Sequence, residues 1–348
     1  MKSVLLGLLA LQVHFSSGQI LLAKEKVFNP KKYDSYSVSL GTADSGSILL
    51  KGIHSIDIID ARADTFALGY MKKGLLRNYK KIQFQSPGLQ ELTVFSNSLI
   101  IPDTTHSSFA LLLVVKELWA SEEDTDRDPE DKMNDFNERL FPTSDVKVRF
   151  EFYLREAERY FAICRFDTVL LRTLPLKTYA AEYIKTAVTL GLKKVARYNF
   201  TNISKTKTPA AMSAILNYNN SRFRLPILND TSLKKGVYLS FEEFKNNNPS
   251  ITEFEIKRGK LGDALYIRSD DGKWVVSRSV WGYSEENKAF IKSGDNYYQL
   301  HRIGNAYYFN GSREITRYDY YKSRGSKETR YINLLSPLKL DIETGNVY

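Results

Sequence analysis

The chain has 348 residues, with 50 lysines and arginines against 40 acids, a formal net charge of +10 and one cysteine, Cys164. One cysteine in an apolar run excludes both an internal disulfide and a lipidated N-terminal cysteine, so stability must come from cores, and the length allows two. The basic excess is spread along the chain rather than gathered on one helix, which argues against nucleic acid as a partner.

Residues 1–18 read as a secretion signal: Lys2, an apolar run from Val4 to Phe15, then small residues at Ser16, Ser17 and Gly18. That run is too short to span a bilayer, and no other stretch predicts a transmembrane segment. The expected product is exported to the periplasm or beyond, without a lipid anchor. After a mixed lead-in, Ser55 to Asp60 and Thr65 to Met71 are β-prone, and Asp60 with Arg62 reads as a local salt link or a turn cap. Lys72, Lys73, Arg77, Lys80 and Lys81 form the most basic window, read as a solvated face. Ser86-Pro87 suggests a helix start, with Leu89, Leu92, Phe95 and Leu99 at helical spacing. Phe109 to Leu118 predicts a strand covered on both faces. Asp124, Asp126, Asp128 and Asp135 approach calcium-loop spacing, but Pro129 stands where that loop requires glycine, leaving a solvated acidic loop.

Val146, Val148, Phe150, Phe152 and Leu154 alternate with Lys147, Arg149, Glu151 and Tyr153, which predicts a strand with one wet face. Arg159 to Leu171 returns as its hairpin partner, and a helix opens at Thr178 with Tyr183, Ala187 and Val188 inward. The fold class is α+β. A mixed α/β-sheet domain is expected over 19–198, a polar linker over 199–221, and a mostly antiparallel β domain with one short helix over 222–348. In the latter, Ser240 and Glu243 form a capping box, Asn246 to Pro249 stops the helix, and Asp271-Gly272 makes a turn.

SFEEFKNNNPSI from Ser240, VWGYSEENKAFI from Val280 and the terminal DIETGNVY resemble a module in exported proteins of gliding and gut bacteria. That resemblance implies an exported bacterial protein and assigns no active site. Ser284 to Asn287, where the module has an Asp-Gly type of turn, suggests a longer hairpin loop. The first half, with SIDIIDAR and FALLLVVKELW, is similar in element order to small envelope lipoproteins of the curli-secretion and transport-auxiliary type, without their lipidation cysteine.

No nucleophile elbow, phosphate loop or dinucleotide fingerprint occurs, and His54, His106 and His301 lie outside metal-ligand spacing. No catalytic residue, metal or cofactor is therefore assigned. Twelve of the 22 tyrosines follow residue 232, several in adjacent pairs, of which one member should face out. Trp281 and Tyr283, expected to share a face, with Tyr298 and Tyr308, are the expected ligand-binding residues. The expected function is an exported, non-catalytic envelope component that binds a protein or a polysaccharide. The alternative is a glycosidase-like hydrolase using scattered carboxylates.

Overall fold

The computed structural model describes residues 28–43, 48–73, 78–101, 109–125, 141–172, 174–259, 262–269, 271–277, 279–294, 296–311, 315–321, 327–333 and 335–348. The expected signal, His106 and the acidic-loop residues Asp126, Asp128 and Asp135 lie outside these residues. Among the described residues a 3-10 turn (Pro30–Lys32) precedes β1 (Ser35–Val38), β2 (Ile48–Leu49), β3 (Ile53–Asp60), β4 (Gly69–Lys73), β5 (Asn78–Phe84), α1 (Gln90–Leu99) and β6 (Ile100–Ile101). There follow β7 (Phe109–Thr125), β8 (Phe141–Glu156), β9 (Arg159–Arg172) and α2 (Leu176–Val195). A mixed sheet runs β1-β5-β4-β7-β8-β9, with β3 also parallel to β7.

The continuous apolar run makes β7 the central strand, buried on both faces. A bulge lets the register pass from Val115 opposite Phe150 to Glu117 opposite Arg149. The extra residue, Lys116, resets the alternation. Leu111, Leu113 and Val115, then Leu118 and Ala120, therefore all meet the inner core, while Leu112, Val114 and Trp119 face the other way. The expected hairpin is present, with Val146 to Leu154 inward and Ala157 turning the chain at φ 51°. Its expected wet face is not wet: Arg149 is buried where the C-terminal turn reaches it through Glu343, and Glu151 is buried against Lys116 and Tyr153, beside the cluster that Ile215 covers.

Helices α1 and α2 cover the inner face through Leu92, Phe95, Ala180, Ile184, Val188 and Leu192. Helix α1 begins at Gln90 rather than at Ser86-Pro87. The Ser86 hydroxyl donates to the Glu91 carboxylate at 2.7 Å instead of capping the backbone. The segment expected as a polar linker holds two helices, α3 (Phe200–Thr206) and α4 (Met212–Ser221). Its apolar residues divide between the layers: Phe200 and Ile203 join the inner core, and Ile215 packs on Leu112, Val114 and Tyr160 of the outer face, while Leu216 and Tyr218 stay exposed.

The second half contains α5 (Pro226–Asn229), β10 (Gly236–Tyr238), α6 (Phe241–Lys245), β11 (Phe254–Gly259), β12 (Gly262–Arg268) and β13 (Trp274–Val276). It continues with β14 (Gly282–Glu285), β15 (Lys288–Ser293), β16 (Asn296–Gln299), β17 (His301–Ile303), β18 (Ala306–Gly311), β19 (Ile315–Tyr321), β20 (Lys327–Asn333) and β21 (Ser336–Leu340). Its sheets, β10-β14-β15-β16, β11-β12-β13, β17-β18-β21 and β19-β20, are antiparallel, so the fold is α+β with a β-rich C-terminal region. Two short helices replace the one expected, since Pro226 opens a turn of its own. No helix among the described residues is long and apolar enough to cross a membrane.

Local chemistry explains two turns. Glu286 and Asn287, at φ 50° and 58°, close β14 onto β15 so that Glu285 lies opposite Lys288. This is a tight two-residue hairpin, not a longer loop: two left-handed residues give the connection a twist that matches the strands. Helix α6 carries the expected capping box, with the Ser240 hydroxyl accepting from Glu243 N at 3.2 Å. The Glu243 carboxylate reaches one residue further back than expected, to Leu239 N at 2.8 Å.

Asn247 ends this region at φ 47° with its amide fully buried. Its Oδ1 accepts from Lys234 N at 3.0 Å, and its Nδ2 donates to Asp230 Oδ2 at 2.7 Å and Ser232 O at 3.1 Å. Asn247→Ala is expected to destabilise the protein by about 3 kcal/mol, from left-handed strain and unpaired loop groups together. Asn247→Gly, which keeps the conformation and loses only the bonds, should cost less. Urea midpoints for the two variants check the partition, and equal midpoints would show that left-handed strain contributes nothing.

Candidate functional site

Strands β18 and β21 lie on the outer face of the first sheet, and their side chains decide which charges are free. Buried Tyr308 packs 5.3 Å from Phe28 and 6.0 Å from Trp119 and donates its hydroxyl to Asp64 Oδ1 at 2.9 Å. Lys339 Nζ, from β21, lies 3.3 Å from Glu117 Oε1, 3.5 Å from Asp64 Oδ2 and 4.8 Å above the Trp119 ring. Burial alone would lower the Lys339 pKa, but the two carboxylates outweigh it and hold the pKa above the usual lysine value. Asp60 and Arg62 form the local link read from the sequence, at 2.7 Å.

A second group joins the C-terminal turn to the sheet. Glu343 receives Arg149 Nη1 at 2.7 Å and Arg222 Nε at 2.7 Å. Asp341 accepts from Glu343 N at 2.9 Å and lies 3.7 Å from Arg149 and 3.9 Å from Lys147. Burial would raise the Asp341 pKa; the Glu343 N–H, Arg149 and Lys147 overcome it and hold the carboxyl below the usual range. Its stabilising contribution is present above the ordinary carboxylate value and is lost as pH falls through the folded one.

These acids are structural in placement. A glycosidase needs two carboxylates flanking an open site. Asp64 and Glu117 do converge, but on one ammonium whose side chain is 4 % exposed, so the pair is closed to a substrate. Among the described residues no group of three or more His, Cys, Asp and Glu could hold a metal. Cys164 is half-buried beside the inner core, and burial pushes its thiol pKa up.

The four aromatic residues expected to bind ligand all belong to packed clusters. Half-buried Trp281 stacks 4.5 Å from Phe244, and buried Tyr283 stacks 4.5 Å from Phe290. These two do not share a face: Trp281 precedes β14 and turns to a different cluster from that of Tyr283. Tyr298 and Tyr308 are buried, as are their neighbours Tyr297 and Tyr307. Alternation sends one member of each pair to either side, but here both sides meet another layer. The Tyr320-Tyr321 side chains lie outside the described residues.

Outward display falls instead to β11-β12-β13. Phe254, Ile256 and Leu265 turn into the core beneath. The register then places Glu255, Tyr266 and Val276 in one row of the outer face and Arg268 beside Trp274 in the next. Trp274 is 43 % exposed and Val276 48 %. Lys257 Nζ lies 4.4 Å over the Tyr266 ring, Arg268 is 3.3 Å from Glu253, and Lys273 is 2.9 Å from Asp271. The face thus carries an uncovered indole among internally paired charges. Sequence reasoning passed over Trp274, although alternation in Glu253 to Lys257 marks a strand with one wet face, and pairing carries that face across to Trp274. Compared with protein-family models, curated proteins and solved structures, the chain has no match.

Proposed function

We propose that the chain is an exported, non-catalytic component of a bacterial cell envelope that binds or assembles with another envelope component through the outer face of β11-β13. The observation that carries this reading is the exposure of Trp274 and Val276 on a folded sheet. Large apolar side chains displayed together mark contact surfaces more often than isolated ones do. The secretion-signal pattern at 1–18 and the resemblance of the second half to exported bacterial proteins support the location. The commitment of Asp64, Glu117, Asp341 and Glu343 to ion pairs supports binding over hydrolysis.

Pull-down with purified peptidoglycan and with envelope extracts tests the reading. The protein should be retained above an unrelated basic protein of similar charge. Trp274→Ala should weaken retention about tenfold, the effect of losing one aromatic anchor. Its urea midpoint should stay unchanged, because the ring is outside the core. Retention equal to that of the control protein, or insensitive to Trp274, would remove the assignment.

A further inference from the structure

We infer that the outer face of β11-β13 recognises an uncharged polysaccharide, with Trp274 as the ring on which a sugar unit stacks. This rests on the preceding reading of the face as the contact surface, and charge supplies the further step. Among the described residues of the face, Glu253 and Glu255 stand against Lys257 and Arg268, an equal number of each sign, in a chain whose net charge is +10. Arg268 is already paired with Glu253 of the same face at 3.3 Å, Lys273 in the adjoining turn is paired with Asp271 at 2.9 Å, and Lys257 lies on Tyr266. An acidic polymer would have to displace those carboxylates and would meet Glu255 unneutralised. A neutral polyol displaces nothing.

Ring and polar groups fit the same occupant. Among the described residues no ring or cation packs on Trp274, whereas Lys257 occupies Tyr266, so the indole is the free aromatic surface of the face. A pyranose presents axial C–H groups carrying partial positive charge, which meet the negative face of an indole. Its flanking hydroxyls need donors and acceptors side by side. The Arg268 guanidinium, opposite Trp274 in the register, and the Glu253 carboxylate paired with it supply both kinds. Addition of a protein strand at the open edge fits less well, because β13 has three residues and offers few backbone groups to a partner.

Affinity electrophoresis of the full chain through gels containing mannan, dextran or β-1,3-glucan, and through gels containing alginate or hyaluronan, tests the proposal. The expected result is retardation by at least one neutral polymer, persisting at 0.5 M salt because no net charge is neutralised. Trp274→Ala should weaken it about tenfold, and Trp274→Phe, which keeps a smaller ring, less. Retardation by no neutral polymer overturns the inference. So does Trp274-dependent binding confined to acidic polymers or to a protein from envelope extracts, which leaves the contact surface standing. Polymer binding indifferent to Trp274 overturns both.

Discussion

Lys339→Ala is expected to lower the unfolding free energy by about 3 to 5 kcal/mol, the cost of leaving a buried ion group without one of its partners. The ammonium is the shared counterion of Asp64 and Glu117, whose side chains are 2 % and 7 % exposed. Water cannot replace it without opening the seam between the two halves. The Tyr308 hydroxyl continues to serve Asp64, while Glu117 keeps only the more distant attraction of Arg149. The folded pKa of Lys339 lies above its usual value, so its contribution is complete below that value and declines only as pH rises through the folded one. Measurement at pH 7 therefore sees all of it. Lys339→Met keeps most of the buried stem and should recover little if charge is the cause. The neutral combination Asp64→Asn, Glu117→Gln and Lys339→Met should recover most of the loss, since no unpaired charge remains. Urea unfolding followed by fluorescence and by far-ultraviolet circular dichroism reads all three. A loss under about 1 kcal/mol for Lys339→Ala would show that solvent reaches these carboxylates.

The same seam marks where the sequence stops being legible. Alternation from Val146 to Leu154 tells which residues share a face, and it places all five apolar ones correctly. It does not tell what covers the other face. Arg149 and Glu151 read as wet because their chemistry suits water; Arg149 is dry because a turn carrying Glu343, 194 residues beyond it, folds back over it, and Glu151 because it pairs at 2.8 Å with Lys116, which lies against the Tyr218 ring of α4. The pairs Tyr297-Tyr298 and Tyr307-Tyr308 fail for a similar reason, since a strand between two layers has no outside. Local signals survive where the cause is local. The capping box at Ser240 and the hairpin turn at Ala157 depend on neighbours within a few residues, and both are present. The proposed contact face was only half legible: alternation in β11 gives the wet side, but that nothing among the described residues folds over Trp274 is a tertiary fact.

Gly69→Ala is expected to cost more than about 4 kcal/mol and to abolish the native core packing, a size reserved for backbone conflicts and buried defects. Nothing in the local sequence announces it. Gly69 adopts φ 143°, and a Cβ there would overlap the Ala120 carbonyl oxygen and sit 2.7 Å from its carbon. Carbon atoms pack at about 3.5 to 4.0 Å, so a shift of an ångström or more would be needed. Neither strand can supply it. Ala120 is held by its own N–H to Leu68 O at 2.6 Å and by pairing with Val146 across β8, and Gly69 by its pairing with Ile82. The obstacle is backbone, so no rotamer relieves it. Gly88→Ala separates collision from backbone strain, because Gly88 also has positive φ, at 61°, but meets nothing within 4 Å. That control should cost only about 1 to 2 kcal/mol. Near-ultraviolet circular dichroism reports the consequence, since Tyr70, next along β4, lies edge-on to Trp119 at 5.9 Å. Gly69→Ala should lose that aromatic signal while the far-ultraviolet signal partly remains, whereas Gly88→Ala should keep both. Equal midpoints for the two variants would mean that β4 and β7 do not approach as closely as this ladder requires.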